Sequence, residues 1–383
     1  ARFRAAGGIV WAFGRPGLRL PAAGVDRSLM GEAICVSGVE SVRRLLEFAR
    51  TAGASDLHLD PVEHGLAIRV RINGVLEDSE TLSPEFGPAT IGRLKAMADL
   101  LAYRTDVPQE GRIPASRSGI DMEVRVATYP TLLGERAALR FDAPGNFAHG
   151  LDALGLPAVA RAGLARALAQ PEGVILLTGP SGSGKTTTLY AALAYIREQA
   201  IARSMVSVED PVERRIRGVT QTEVNPGAGL DFTTALRSLL RQDPDVILLG
   251  EIRDRETAAI ALEAGLTGHL VAATIHAGTA PQVFTRLLEM GVEPFVATTA
   301  IRGVLAQRLV RRVAPGGEGY EGRALIAEWL EMGPALRRAV LDRSDGEALT
   351  AAAGHTTLRD CAEPLIRSGV TTPEEGDRVL GDD

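Results

Sequence analysis

The chain has 383 residues, of which 45% are hydrophobic and 23% are charged, and its formal net charge is -6. This length exceeds that of a typical single core, so two or three domains are expected in a protein of ordinary globular composition. The acidic balance argues against nucleic-acid binding as the main function. The two cysteines, Cys35 and Cys361, are too few for a disulfide framework or a tetrahedral thiolate metal site. They favour inert thiols in a reducing, cytoplasmic setting.

Residues 1–40 are rich in Gly, Pro, Arg and Ala and show no sustained periodicity. Residues 5–13 resemble the start of a signal peptide, but this stretch is short, contains two glycines and lacks a clear cleavage site. No run in the sequence approaches the ~18–20 apolar residues of a membrane-spanning helix. We therefore expect a poorly ordered N-terminal segment, and a membrane role only through partner proteins.

A small α+β domain is predicted over 41–143. Apolar residues recur at helical spacing in 41–52, and a second helix is expected over about 89–101. Alternating apolar and polar residues predict strands at 56–59, 66–72, 120–126 and 136–141. The pair Asn73-Gly74 predicts a tight hairpin turn. Residues 144–147 are the expected linker to the next domain.

From 148 onwards, short apolar strands alternate with helices, which is typical of a parallel, doubly wound sheet buried on both faces. The predicted strands are 174–178, 205–208, 246–249 and 270–274. We predict an α/β core over 148–310. The Ala-rich residues 311–383 predict a helical C-terminal subdomain.

A glycine-rich loop lies between the first of these strands and a helix predicted over 186–197. The pattern Gly-x4-Gly-Lys-Thr matches the phosphate-binding loop in the context that this motif requires. Its backbone N–H groups and the helix N-terminus attract phosphate, Lys185 can reach the β- and γ-phosphates, and the Thr186 hydroxyl can ligate Mg²⁺. The alternative is a flexible Gly/Ser turn. The residues predicted to bind ATP are Gly179, Pro180, Ser181, Gly182, Ser183, Gly184, Lys185, Thr186 and Thr187.

Two further strands end in acidic residues. Glu209 and Asp210 would face the phosphates if their strand neighbours the loop strand, and a carboxylate there can deprotonate the attacking water. A solvated acidic turn is the alternative. Glu251 ends strand 246–249 in the manner of a Walker B acid, which lies near Mg²⁺. Gly250 stands where many P-loop proteins carry the Mg²⁺-coordinating aspartate.

Two histidines bracket the strand at 270–274. A histidine near a strand end is usually structural, and this interpretation is favoured for His269 taken alone. His276 follows the carboxyl end of the strand, where phosphates bind in open α/β sheets. It can sense the γ-phosphate or hydrogen-bond to the acids.

In their order along the chain, these segments resemble the secretion ATPases of type II secretion and type IV pilus assembly. The resemblance extends from about 41 to 330 and rests on the P-loop, Val-Glu-Asp-Pro-Val-Glu at 208–213, Gly-Glu-Ile-Arg-Asp at 250–254 and Thr-Gly-His…Thr-Ile-His at 267–276, with 54–59 and 111–113 matching the N-terminal half. It implies a RecA-like P-loop domain preceded by a PAS-like α+β domain. It also implies a hexameric ring that hydrolyses ATP, bound as its Mg²⁺ complex, and meets inner-membrane platform proteins.

The resemblance also implies roles for single residues. Glu209 matches the acid that activates water, Glu251 the Walker B acid, and His269 and His276 the histidine box. The N-terminal arginines that approach the γ-phosphate are matched by Arg112, Arg125, Arg136 and Arg140. The strand pattern separately places Arg125 on the polar face of its strand, with a solvated surface arginine as the alternative.

The sequence departs from the family pattern at two places. No Cys-x-x-Cys pair follows Leu-Ala-Gln-Arg-Leu at 305–309, so no zinc module is expected. We also expect the large N-terminal docking domain of such ATPases to be missing or reduced to the first forty residues. These departures leave a pilus-retraction or conjugation-type ATPase as the alternative, with a DNA translocase or a non-enzymatic nucleotide-gated component less favoured. An ABC-type ATPase would require a Leu-Ser-Gly-Gly-Gln-like signature, which is absent.

Overall fold

The computed structural model describes residues 38–141, 150–199 and 202–381. Cys35, the predicted linker at 144–147 and residues 1–37 of the predicted N-terminal segment lie outside these ranges. Residues 38–40 of that segment are helical, because the first helix, α1, spans Gly38–Thr51.

An antiparallel sheet forms the N-terminal part of the described chain. Its strands are β1 (Ala54–Val62), β2 (Gly65–Ile72), β3 (Val75–Leu82), β4 (Gln109–Ile113), β5 (Val124–Thr131) and β6 (Gly134–Phe141). They pair in the order β3-β2-β1-β6-β5-β4. Helices α1 and α2 (Gly87–Met97) contribute to its apolar core, where Leu46, Leu57, Leu94 and Leu139 are buried together. The short helix α3 (Ala115–Ser118) connects β4 to β5.

The predicted hairpin turn is confirmed, because Asn73 and Gly74 both have positive φ, at 50° and 84°. The strand predicted at 120–126 is displaced: β5 begins only at Val124. Gly119 and Asp121 have φ of 76° and 56°, so the backbone turns there and cannot be extended. The alternating apolar pattern of 120–126 therefore begins in this turn, before the start of β5 at Val124.

The second sheet combines a parallel block with an antiparallel hairpin. Its strands are β7 (Gly173–Thr178), β8 (Met205–Glu209), β9 (Thr220–Glu223), β10 (Val246–Ile252), β11 (Leu270–Ile275), β12 (Ile301–Val313) and β13 (Tyr320–Glu331). Their order is β13-β12-β7-β11-β10-β8-β9, and only β12 and β13 pair antiparallel. The helices are α4 (Ala158–Leu168), α5 (Lys185–Arg197), α6 (Phe232–Leu239), α7 (Arg255–Leu266), α8 (Ala280–Glu289) and α9 (Pro294–Ala300), with 3₁₀ turns at Leu151–Leu154 and Pro226–Ala228.

Residues of the central strands alternate between two cores. Val174 and Leu176 belong to the core on one face of the sheet, whereas Ile175 and Leu177 belong to the core on the other. All four are at most 1% exposed. This burial on both faces confirms the predicted doubly wound α/β fold.

The helical C-terminal subdomain predicted for 311–383 is present, but it begins later than expected, and the predicted boundary at residue 310 falls inside a strand. Strand β12 continues through 310, and β13 pairs with it along its length. The C-terminal helices begin only at α10 (Pro334–Leu341), followed by α11 (Gly346–Ala353), α12 (Leu358–Arg367) and α13 (Pro373–Leu380). The prediction of helix at β13 rested on Ala-rich composition, and the continuous buried run 326–330 shows no alternation that would have indicated a strand.

Trp329 on β13 fits between two glycines. A Cβ atom on Gly163 in α4 would come within 2.1 Å of Trp329 Nε1, and one on Gly303 in β12 within 2.2 Å of Trp329 Cζ2. The indole is 7% exposed, and its Nε1 donates to Glu331 at 2.9 Å. The absence of side chains at both positions therefore makes room for the indole between helix and sheet.

We expect Gly163→Ala to lower the free energy of unfolding by about 1–3 kcal/mol, because the methyl group would displace the indole. Gly92→Ala in α2 is the matched control: both positions are helical, but a Cβ at Gly92 meets no atom within 4 Å. Alanine should stabilise that helix by up to ~1 kcal/mol. Thermal unfolding of the full chain, followed by circular dichroism, measures both changes. Equal shifts for the two variants would contradict the packing of Trp329 described above.

Candidate nucleotide site

The carboxyl ends of the parallel strands β7, β11, β10 and β8 meet at one edge of the second sheet. They open into a cleft of about 410 Å³. Ligands bind at this edge in open α/β sheets, because the polar loops that follow the strands converge there. The cleft brings together residues that are far apart in the sequence, including Lys185, Glu209, Glu251, His276 and, from the first sheet, Arg140.

The glycine-rich loop connects β7 to the N-terminus of α5. Gly182 and Gly184 have φ of 76° and 90°, a conformation that favours glycine. Of the nine residues predicted to bind ATP, six line the cleft: Ser181, Gly182, Gly184, Lys185, Thr186 and Thr187. Gly179, Pro180 and Ser183 do not line the cleft, and Gln307 Nε2 donates to the Ser183 carbonyl at 2.7 Å.

The Lys185 side chain lies along this loop. Its Nζ donates to the carbonyl oxygens of Gly179 and Pro180 at 2.7 and 3.0 Å. Burial lowers the pKa of Lys185, and the nearby Glu251 carboxylate partly opposes this effect. The ammonium group is thus held at the base of the cleft, beside the carboxylate that ends β10.

Glu209 is almost completely buried, at 3% exposure, and its carboxylate accepts three hydrogen bonds. Ser207 Oγ and Gln221 Nε2 donate to Oε1 at 2.5 and 3.1 Å, and Tyr190 Oη donates to Oε2. The sequence predicted that Glu209 would face the phosphates if β8 lies next to β7, the strand before the P-loop. The two strands are not neighbours, because β11 and β10 lie between them. Helix α5 bridges the gap, since Tyr190 extends from it to Glu209.

Glu251 connects the acidic strand ends to His276. Its Oε1 lies 2.9 Å from His276 Nε2, and its Oε2 accepts a hydrogen bond from Arg253 Nε at 2.9 Å. Arg253 also contacts Asp210, at 3.5 Å. A Cβ atom at Gly250 would come within 3.3 Å of Glu209 Cα, which explains why a side chain is absent there. The predicted pairing of His276 with an acid is therefore present in the structure.

His269 does not reach the cleft. Its Nδ1 lies 3.1 Å from the Ala264 carbonyl, and its own carbonyl accepts from Gly173 N at the start of β7. The seven steps from His269 to His276 span ~23 Å when extended, so the two histidines lie at opposite edges of the sheet. The structure does not bring His269 to the cleft, and the structural interpretation favoured for it in isolation agrees with its position.

The N-terminal arginines divide into two groups. Arg140 lines the cleft, and its register neighbour Arg125 donates from Nη2 to Glu213 Oε2 at 2.7 Å. Arg125 thus contacts the loop between β8 and β9 through a carboxylate rather than lining the cleft.

The other two arginines have carboxylate partners nearby. Arg112 lies 3.7 Å from Glu223, also in the second sheet. Arg136 pairs with Asp60 at 2.7 Å and contacts His58, so its contacts lie within the first sheet. The structure does not bring Arg136 to the nucleotide cleft.

Several cleft residues were not identified from the sequence. Tyr190 lies four residues after Thr186, so helical spacing placed it on the same face of α5. Arg253 belongs to the Gly-Glu-Ile-Arg-Asp segment at 250–254, but this pattern predicted no role for the arginine. Arg323 enters the cleft from β13. No local pattern indicated Arg323, because only the β12–β13 pairing brings it there.

Residues 38–141, 150–199 and 202–381 contain no group of three or more His, Cys, Asp or Glu side chains arranged to hold a metal ion. Within the same ranges, no helix has both the length and the apolar character needed to cross a bilayer.

Burial, aided by Glu328 and Asp360, raises the pKa of the Cys361 thiol to about 11. At neutral pH this thiol is therefore protonated and unreactive.

Known proteins resemble the chain over most of its length. Type II secretion system protein HxcR of Pseudomonas aeruginosa is 41% identical over 365 residues, covering 90% of this chain and 77% of that protein. Type II secretion system ATPase E of Vibrio cholerae is 38% identical over 378 residues, covering 89% and 75%. Among solved structures, the pilus retraction motor PilT with bound ADP is 27% identical with a TM-score of 0.63, covering 89% of this chain and 97% of that one.

These likenesses agree with the geometry of the cleft. PilT shares the fold and was solved with a nucleotide, and the cleft described above supplies a phosphate-binding loop with acidic side chains at the neighbouring strand ends. Residues 37–378 match the family described as type II/IV secretion system protein. The chain therefore belongs to the type II/IV secretion system protein family and is a nucleotide-binding secretion ATPase.

Proposed function

We propose that the chain is the subunit of a hexameric motor that hydrolyses ATP to drive pilin or pseudopilin assembly and, through it, type II secretion. One observation carries this proposal: the P-loop, Glu209, Glu251 and His276 converge at one sheet edge, and Arg140 from the other sheet lines the same cleft. A nucleotide bound there would contact both sheets. Relatives that are named as type II secretion proteins support the choice of machine.

Mg²⁺ is proposed to bind between Thr186 and Glu251. Both residues line the cleft, and hydroxyl and carboxylate oxygens are ligands that Mg²⁺ accepts. Mg²⁺ usually keeps several waters and phosphate oxygens, so it requires no cluster of three protein acids. When bound, the ion would neutralise charge on the β- and γ-phosphates. His276 would hold the Glu251 carboxylate in place.

Glu209 is proposed to orient and deprotonate the attacking water. An ionised carboxylate offers about four acceptor sites, and three are used by Tyr190, Ser207 and Gln221. The remaining acceptor site is available to a water molecule. Because the three donors fix the carboxylate, it would need little reorganisation during the reaction.

The motor action is proposed to be a closure of the two sheets on the nucleotide. ATP would contact Lys185 on one side and Arg140 on the other, and loss of the γ-phosphate would weaken this link. A ligand drives such a change only through different contacts with the two states. Arg125 is proposed to act with Arg140 as an arginine finger. In the cell, the ring would lie in the cytoplasm and meet the inner membrane through platform proteins.

Pilus retraction is the second candidate, because the similarity to the retraction motor PilT extends over most of the chain. Deletion of the gene from its own host separates the two candidates. Loss of secreted proteins or of surface pili is expected if the motor drives assembly. Hyperpiliation with normal secretion would identify a retraction motor, and an unchanged phenotype would contradict both.

We expect Lys185→Ala to reduce ATP turnover by ~10²-fold or more, because it removes the ammonium group that would contact the phosphates. Phosphate release by the assembled protein is the measurement. The thermal midpoint should stay unchanged, since Nζ bonds only to loop carbonyls. Normal turnover in this variant would refute the assignment of the P-loop.

Glu251→Gln should leave ATP bound but unhydrolysed, because the amide keeps the shape of the side chain and loses the charge near Mg²⁺. Binding of a fluorescent ATP analogue and phosphate release are measured together. Glu256→Gln is the matched control, as Glu256 pairs with Arg237 on the surface, where both side chains are more than half exposed. Hydrolysis at the same rate in both variants would contradict the role of Glu251.

A further inference from the structure

One loop lies between the proposed water-activating acid and the proposed arginine finger. Residues 210–219, here called the bridging loop, connect the end of β8 at Glu209 to the start of β9. The loop carries Glu213, whose Oε2 accepts the hydrogen bond from Arg125 Nη2 at 2.7 Å. The loop thus begins directly after Glu209, the proposed catalytic residue. Its residue Glu213 binds Arg125 of the first sheet.

The amide of Gln221 ties this loop to Glu209. Gln221 lies on β9 opposite Ser207 on β8. Its Nε2 donates to Glu209 Oε1 at 3.1 Å and to the carbonyl of Arg214 at 2.9 Å. Its Oε1 accepts from the backbone N–H of Ile216 at 2.6 Å. A single side chain therefore contacts the acid and two points of the loop, on either side of Arg215.

Tyr190 reinforces the same link from the P-loop helix. Its hydroxyl donates to Glu209 Oε2, and the backbone N–H groups of Glu213 and Arg214 face the Tyr190 hydroxyl oxygen itself. Burial, followed by the hydrogen bond to Glu209, raises the pKa of Tyr190 well above its usual range. The hydroxyl therefore stays protonated and remains a donor to Glu209.

The outer strand β9 holds the loop at one more place. Glu223 Oε2 accepts from the backbone N–H of Val212 at 3.0 Å, and its other oxygen lies 3.7 Å from Arg112 of the first sheet. The loop is thus anchored on β9 by Gln221 and Glu223. Arg125 therefore contacts a loop that is held by β9, and Gln221 on the same strand also binds the carboxylate of Glu209.

We propose that Gln221 is a positioning residue that couples Glu209 to Arg125 through the bridging loop. A displacement of the loop that frees Arg125 from Glu213 would pull on the amide that orients Glu209. Conversely, a change at Glu209 would be transmitted to Arg125. Through this coupling, the approach of the N-terminal sheet to the nucleotide would change the orientation of Glu209, the carboxylate proposed to deprotonate the attacking water. This inference rests on the proposed roles of Glu209 and Arg125 in hydrolysis.

The first arm of the test is structural and uses the full chain with Gln221→Leu, which keeps the approximate size and removes both hydrogen-bonding groups. Trypsin cleaves after Arg214, Arg215 and Arg217, all of which are exposed. Cleavage at these sites, mapped by mass spectrometry, should accelerate ~10-fold or more because the loop opens locally. Gln199→Leu is the matched control: this glutamine is exposed just after the C-terminal end of α5, and its side chain donates to the Tyr195 carbonyl of that helix.

The second arm measures ATP turnover in a double-mutant cycle of Gln221→Leu and Arg125→Ala. Misplacing the acid should lower kcat of Gln221→Leu by ~10-fold or more with KM for ATP nearly unchanged. The effect of Arg125→Ala should then be clearly smaller in the Gln221→Leu background, since independent sites would be additive. A kcat equal to that of the control, or additive effects, would overturn the coupling.

The two arms separate this inference from the proposed function. If Arg125→Ala alone leaves turnover unchanged, the arginine-finger proposal fails, and with it the coupling in hydrolysis. Accelerated cleavage would then still show that Gln221 tethers the loop. If cleavage in the loop is not accelerated in Gln221→Leu, the tether itself is refuted, whatever the effect of Arg125→Ala.

Discussion

Parallel pairing of β7, β11, β10 and β8 places four strand ends side by side, and the chemistry of the molecule depends on that alignment. Within the strands, both faces are covered, so their interior positions admit apolar side chains almost exclusively. Charged groups can appear only where the strands leave the core. The cleft is therefore the place where a buried sheet can present Glu209, Glu251, His276 and the P-loop together.

Three strand spacings separate the loop strand from β8, which amounts to ~14 Å across the sheet. Helix α5 closes this gap, because it starts at the P-loop and carries Tyr190 to the carboxylate of Glu209. Phosphate binding and the orientation of the acid are thus joined by one rigid helix. The ion pairs of Arg125 with the bridging loop and of Arg112 with β9 join the N-terminal sheet to the same framework.

Local sequence patterns sufficed for the parts of the structure that are local. The P-loop between strand and helix, the Asn73-Gly74 turn and the buried parallel strands were all predicted from short windows. The order of the strands was not, because β8 and β7 are separated by strands that come later in the chain. Arg323 was not predicted as a cleft residue for a similar reason, since only the pairing of β12 with β13 brings it there. The helical interpretation of β13 failed because five consecutive residues, 326–330, are buried and therefore show no period of two.

The outer strands of both sheets also bear on assembly. At one border of the second sheet, β9 is four residues long, and at one border of the first, β3 carries Glu77, Asp78 and Glu80. Short or charged edge strands oppose backbone pairing between molecules. Two copies of β3 placed side by side would repel each other. Backbone pairing between copies of this chain is therefore disfavoured at β3 and β9, and a contact made at either strand through side chains could slide or separate without breaking a continuous sheet.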